Sequence, residues 1–172
     1  MIMRSILALL FSTNIAFSCG DFVEVPFQDS YICVSPDYYE VDGVRTPMGM
    51  DQIEILLDRY DAILPTPEMV DAIWQHADLR LSPIPMAPGP RMTSIDYYIR
   101  HDSLIDEQIG DRNFVLVAGH KKDVVQQQVD GRVSIYGWHR SDGTPIQPLN
   151  STTHSENYFD YSHGIRLIII PD

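Results

Sequence analysis

The segment that most limits what this chain can fold into is residues 82–90, which read Ser-Pro-Ile-Pro-Met-Ala-Pro-Gly-Pro. Four prolines in nine residues remove backbone donors and fix φ, so the segment forms neither a helix nor a central strand. It is either a free linker or an extended strap packed on the surface, and the apolar Ile84 and Met86 favour the strap.

The strap divides two hydrophobic patterns. Ahead of it, over residues 45–80, the spacing is helical. Met50, Ile53, Leu56, Leu57 and Tyr60 fall on one stripe and predict a helix over 48–60. Thr66 suits an N-cap, Pro67 a first helical position and Glu68 a first turn. Met69, Ile73, Trp74 and Ala77 then make the buried face of a second helix, and the short loop between predicts an antiparallel helical hairpin. Residues 31–34 predict a strand, and Asp42-Gly43 a turn.

Behind the strap, residues 101–172 are rich in strand signals. A short helix over 103–109 ends at Gly110. The runs 114–118, 132–138 and 165–170 predict three strands. The expected fold is a single α+β domain, its helical hairpin packed on a small mixed, mostly antiparallel sheet. At 172 residues there is little room for a second domain.

Residues 1–18 carry one basic residue (Arg4), no acid, an apolar stretch and the small-x-small ending Ala16-Phe17-Ser18. This pattern predicts an export signal, leaving residues 19–172 as a secreted or periplasmic chain with no transmembrane helix. Cys19 and Cys33 are the only cysteines. In an oxidising compartment they can pair. Alternatively Cys19, first after the expected cut, carries a lipid anchor, although Ala-Phe-Ser-Cys is a poor match to a lipidation signal.

Charge narrows the partners. The full chain has 12 basic and 24 acidic residues, and loss of Arg4 takes the net charge from −12 to −13. Such acidity excludes a duplex nucleic-acid binder, which needs a basic face. The acidity is uneven, with net −9 over residues 19–100 and net −4 over 101–172. The only two lysines, Lys121 and Lys122, lie in the less acidic half.

Four of the six histidines fall between residues 120 and 163. His120 follows a strand and a glycine, His139 ends a strand, His163 precedes one, and His154 lies in the loop between. Converging strand ends predict a site in which His120, His139 and His163 are ligands or acid–base groups, with Asp160 or Asp123 orienting them. With His154 they form a candidate zinc set, although neither His-Glu-x-x-His nor a paired-cysteine motif is present. Ser162 is a candidate nucleophile, but without a Gly-x-Ser-x-Gly elbow. Lys121, Lys122, Arg140 and Arg166, with Tyr161 and Trp138, are candidates for holding an anionic ligand such as a carboxylate or phosphate. His76, in the last turn of the second helix, reads as structural, and His101 as a surface residue.

Five phrases carry a resemblance: Leu64-Pro65-Thr66 with Met69-Val70-Asp71, Gly119-His120-Lys121-Lys122-Asp123-Val124-Val125, Ile135-Tyr136-Gly137-Trp138-His139-Arg140, Pro145-Ile146-Gln147-Pro148-Leu149, and Asp160-Tyr161-Ser162-His163-Gly164-Ile165-Arg166-Leu167. Together they resemble an uncharacterised family of secreted bacterial and fungal proteins, which implies export and one domain but no reaction. Ser162-His163-Gly164, followed by Ile165 and Arg166, also resembles the Ser-His-Gly-Cys signature of the L,D-transpeptidases that crosslink peptidoglycan. That likeness implies a β-rich core and a cell-wall substrate. The missing cysteine implies different chemistry. The expectation is therefore a hydrolase of the cell envelope or an extracellular polymer; the alternative is a non-enzymatic secreted or envelope protein that binds a ligand.

Overall fold

Thr66 begins the best-defined helix of the chain as its side chain predicts. Its Oγ1 accepts from the Met69 N–H at 3.3 Å, and Pro67 and Glu68 follow in the first turn. The computed structural model describes residues 19–172, so the export segment over 1–18 lies outside the described residues. The fold is α+β, with three helices and several small, mostly antiparallel sheets.

A hairpin of β1 (Val23–Phe27) and β2 (Ser30–Val34) comes first, and Cys19 is joined to Cys33 of β2 by a disulfide. The Cys19 sulfur is held in that bond in this structure. Strands β3 (Glu40–Val41) and β4 (Val44–Arg45) then turn through Asp42 and Gly43, both at positive φ. Helices α1 (Met50–Tyr60) and α2 (Pro67–His76) follow, and β5 (Leu79–Arg80) leads into the proline segment.

That segment is a packed strap. Ile84 O is bonded to His101 Nε2 at 3.1 Å, and Met86 N donates to Tyr161 Oη at 2.7 Å. Behind it α3 runs from Ile95 to Ile109, eight residues longer at its start than expected. Ile95, Tyr97, Tyr98 and Ile99 are poor helix formers, which hid the first half; Gly110, at φ 58°, ends it as predicted.

The back half carries β6 (Val117–Ala118), β7 (Lys122–Val125), β8 (Ser134–His139), β9 (Pro145–Asn150), β10 (His163–Gly164) and β11 (Ile168–Ile169). Of the expected strand 114–118 only two residues pair, in parallel with β5. Val115 is exposed, and the Asp78 carboxylate takes the N–H groups of Val115 and Leu116. The strand expected over 165–170 is likewise reduced to Ile168 and Ile169. The main sheet has the order β10-β7-β8-β9, with β10 parallel to β7 and the other pairs antiparallel. Its edge strand β9 holds two prolines, which a central strand would not tolerate.

Helix α1 packs Met50, Ile53 and Leu56 against Val124, Ile135 and Ile165 in one core. Helix α2 packs Met69 and Ile73 against Val25, Val34 and Leu116 in a second. Helix α2 also contacts β8, which lies between β7 and β9 in its sheet.

Candidate functional site

Strand β8 delivers His139 by an irregular route. Its pairing with β9 shifts between Ile135 and Gly137, Gly137 lies at φ 103° and Trp138 at φ 57°. Positive φ is costly for a tryptophan, so the surrounding packing holds this turn in place. The turn sets the His139 ring against α2. There Asp71 Oδ1 accepts from His139 Nε2 at 2.8 Å and from the Tyr136 hydroxyl at 2.9 Å. A carboxylate can only accept, so Nε2 carries the proton and Nδ1 is the basic nitrogen of this imidazole.

Asp71, Trp74, Gln75, Tyr136, His139 and Asp142 line a cleft of ≈ 270 Å³ here. The Asp71 side chain is 44% exposed while that of His139 is 3% exposed. The pair therefore has a buried base and a carboxylate that meets solvent. Burial and the Asp71 carboxylate push the Tyr136 phenol up to about 12, so it stays protonated as a donor. Trp74 packs on the His139 ring with centroids 5.7 Å apart. Gly143 completes the wall, and a Cβ there would lie 2.8 Å from Trp74 Cζ3.

The other histidines lie elsewhere. His120, wholly buried, donates from Nε2 to Asp37 Oδ1 at 2.9 Å. Burial pushes the Asp37 carboxyl up, but His120 and Arg45 outweigh it and hold the group well below the carboxylate range. Arg45 also bonds Asp102 and Asp106, both at 2.9 Å. His101, expected at the surface, is fully buried. The Ile84 carbonyl fixes its Nε2–H, which leaves Nδ1 to accept from Lys121 Nζ at 3.1 Å. Burial and the neighbouring Lys121 push His101 down to about 3, so it is a neutral core group.

His163 is buried beside its strand partner Lys122, with Nε2 3.8 Å from Asp160 Oδ2. Burial pushes this imidazole down against the pull of Asp160, so it stays neutral. Ser162 donates its hydroxyl to Asp160 Oδ1 at 2.6 Å, so its proton goes to a carboxylate and not to an imidazole. His154 stacks on Tyr158 at 3.9 Å, and the exposed His76 bonds Ala72 O through Nδ1.

Among the described residues no three His, Cys, Asp or Glu side chains are placed to share an ion, so the expected zinc set of His120, His139, His154 and His163 is not assembled. His120 and His139 bond different carboxylates, Asp37 and Asp71, while His154 and His163 both pack on the Tyr158 ring.

Of the four expected ligand-holding cations, Lys122 is half-buried and Arg140 exposed, and the other two are enclosed. Lys121 and Arg166 have no exposure. Arg166 donates to the Ser35 and Val117 carbonyls and lies 4.1 Å from the Tyr38 ring. Burial brings Lys121 down to about 7, and its ammonium bonds Tyr161 O. Tyr161 and Trp138 are buried; the Trp138 ring lies 5.1 Å from Lys122 Nζ. Arg140 is exposed and directed toward Thr144. Asp123, a possible orienting carboxylate, accepts instead from Tyr38 Oη at 2.9 Å.

Asp71, Tyr136, Trp74 and Gln75 were not singled out from sequence as site residues. The one signal for Asp71 and Gln75 is periodicity, since Met69, Ile73 and Ala77 define the buried stripe of α2 and leave them off it; Trp74, expected on the buried face, is only half-buried. No protein-family model, curated protein or solved structure matches this chain.

Proposed function

We propose that the chain is an exported, hydrolase-like protein, secreted or periplasmic, that acts on a cell-envelope or extracellular polymer through a metal-independent histidine site in the Asp71–Tyr136–His139 cleft. The observation that carries this reading is the 2.8 Å bond from His139 Nε2 to a partly exposed carboxylate in an open cleft. In the reaction, His139 Nδ1 takes a proton from the attacking water and returns it to the leaving oxygen as the polymer bond breaks. Asp71 holds the opposite Nε2–H and stabilises the imidazolium that results. Tyr136 keeps the Asp71 carboxylate oriented. Export is supported by the pattern of residues 1–18 and by the Cys19–Cys33 disulfide, which suits an oxidising compartment.

The experiment is to incubate the chain from Cys19 onward with cell-wall fragments and extracellular polysaccharide and to measure newly released chain ends, with and without a chelator. The reading predicts release that the chelator leaves unchanged and that His139→Ala abolishes. A second reading, non-enzymatic ligand binding, is favoured by the separate burial of His101 and His120 in the core. It predicts binding without release.

A further inference from the structure

Resting on that assignment of the cleft, we infer that its ligand is a neutral, hydroxyl-rich chain, a glycan segment, and not an anion. Two carboxylates, Asp71 and Asp142, line the cleft, and no lysine or arginine does. A ligand carboxylate or phosphate placed there meets like charge, which disfavours binding. Two arginines outside the lining, Arg80 and Arg140, have partners of their own. The Arg80 guanidinium is held by the Trp74 and Gln75 carbonyls, and Arg140 turns toward Thr144. The buried Lys121 and Arg166 are out of a ligand's reach.

The remaining wall suits sugar hydroxyls, which both donate and accept. Carboxylate oxygens of Asp71 and Asp142 accept, the Tyr136 phenol sits beside them, and the Gln75 amide does both. The apolar faces of a pyranose need a flat partner. Trp74 lines the cleft half-buried, its ring held by His139 at 5.7 Å and by the Arg80 guanidinium at 4.6 Å, and offers a sugar the part of the ring that these leave open. Gly143 packs its own backbone close against that ring, where any Cβ would clash, and so shapes the cleft wall. At ≈ 270 Å³ the cleft lies just under the ~300–1,000 Å³ usual for whole small-molecule sites. That size suits one unit of a longer chain.

The test is calorimetric titration of the chain from Cys19 onward, as wild type and as His139→Gln, with four probes. Three are neutral hexamers (N-acetylglucosamine, β-1,3-glucose and β-1,4-glucose) and one is the galacturonic acid hexamer. The expected result is saturable binding of at least one neutral hexamer, none of the galacturonate, and a loss of about threefold to tenfold in affinity for Gln75→Ala and for Asp142→Asn. Tighter binding of galacturonate, failure of all three neutral probes, or unchanged affinity in both variants overturns the inference. Neutral binding with no bond cleavage by the wild type upholds the ligand class and removes the hydrolase reading. Cleavage of galacturonate without neutral binding does the reverse.

Discussion

His139 Nε2 and Asp71 Oδ1 are 2.8 Å apart, joining the end of a strand to the middle of a helix whose residues are 68 positions away in sequence. This bond fixes the tautomer of His139 and leaves Nδ1 as the base. Asp71→Asn keeps the shape but removes the charge that stabilises the imidazolium. Polymer hydrolysis should fall about tenfold to a hundredfold, while thermal stability changes little because the Asp71 side chain is 44% exposed. Initial rates and a melting curve on the same preparation check both halves.

Arg45 ties β4 to α3 and to Asp37, the carboxylate that His120 also bonds. Its side chain is 5% exposed, and it pairs with Asp37 at 2.8 Å and Asp102 at 2.9 Å. Arg45→Met leaves those buried carboxylates without their cation and should cost about 3–5 kcal/mol. Urea unfolding measures this. A loss below about 1 kcal/mol would place the pair among surface bridges of little energetic weight.

Asp123 makes stability depend on pH. Burial raises its carboxyl to about 7 against the pull of Arg166 and the Tyr38 hydroxyl, while the unfolded chain has the ordinary 3.8. A folded pKa above the unfolded one gives a contribution that is complete below 3.8 and lost as pH rises toward 7. Within that window the loss is about 1.4 kcal/mol per pH unit. Asp123→Asn removes this dependence. Unfolding free energies of both proteins at pH 5 and pH 7.5 should show the variant gaining on the wild type as pH rises; parallel values contradict the assignment.

The Cys19–Cys33 disulfide spans 14 positions and anchors the first described residue to β2. For a loop of that length the chain-entropy model gives about 3 kcal/mol. The double variant Cys19→Ser with Cys33→Ser should lose up to that amount in urea unfolding. Equal stability with and without the bond would show that it adds nothing to the fold.

Much of the fold was legible because its signals are local. Thr66, Pro67 and Glu68 mark the start of α2 by side-chain chemistry alone, and the prolines of residues 82–90 exclude regular structure wherever they lie. The strand ends at His120 and His139 could be read for the same reason. What failed was convergence. Three histidines near strand ends share a cleft only if register and bulges aim them together. The shift at Gly137 and the positive φ of Trp138 turn His139 toward α2, away from His163. Charge misled in a second way: Lys121 and Arg166 look like ligand-holding cations, yet both close buried hydrogen-bond networks. Asp71 was invisible as a site residue because its partner His139 is remote in sequence.

The most direct measurement is the hydrolysis rate of His139→Ala beside that of His76→Ala, a change at an exposed histidine outside the cleft. General acid–base catalysis predicts a loss of about 10²–10⁴-fold for the first and wild-type turnover for the second. Equal rates in the two variants, with both proteins folded, would contradict the assignment of His139 as the acid–base group.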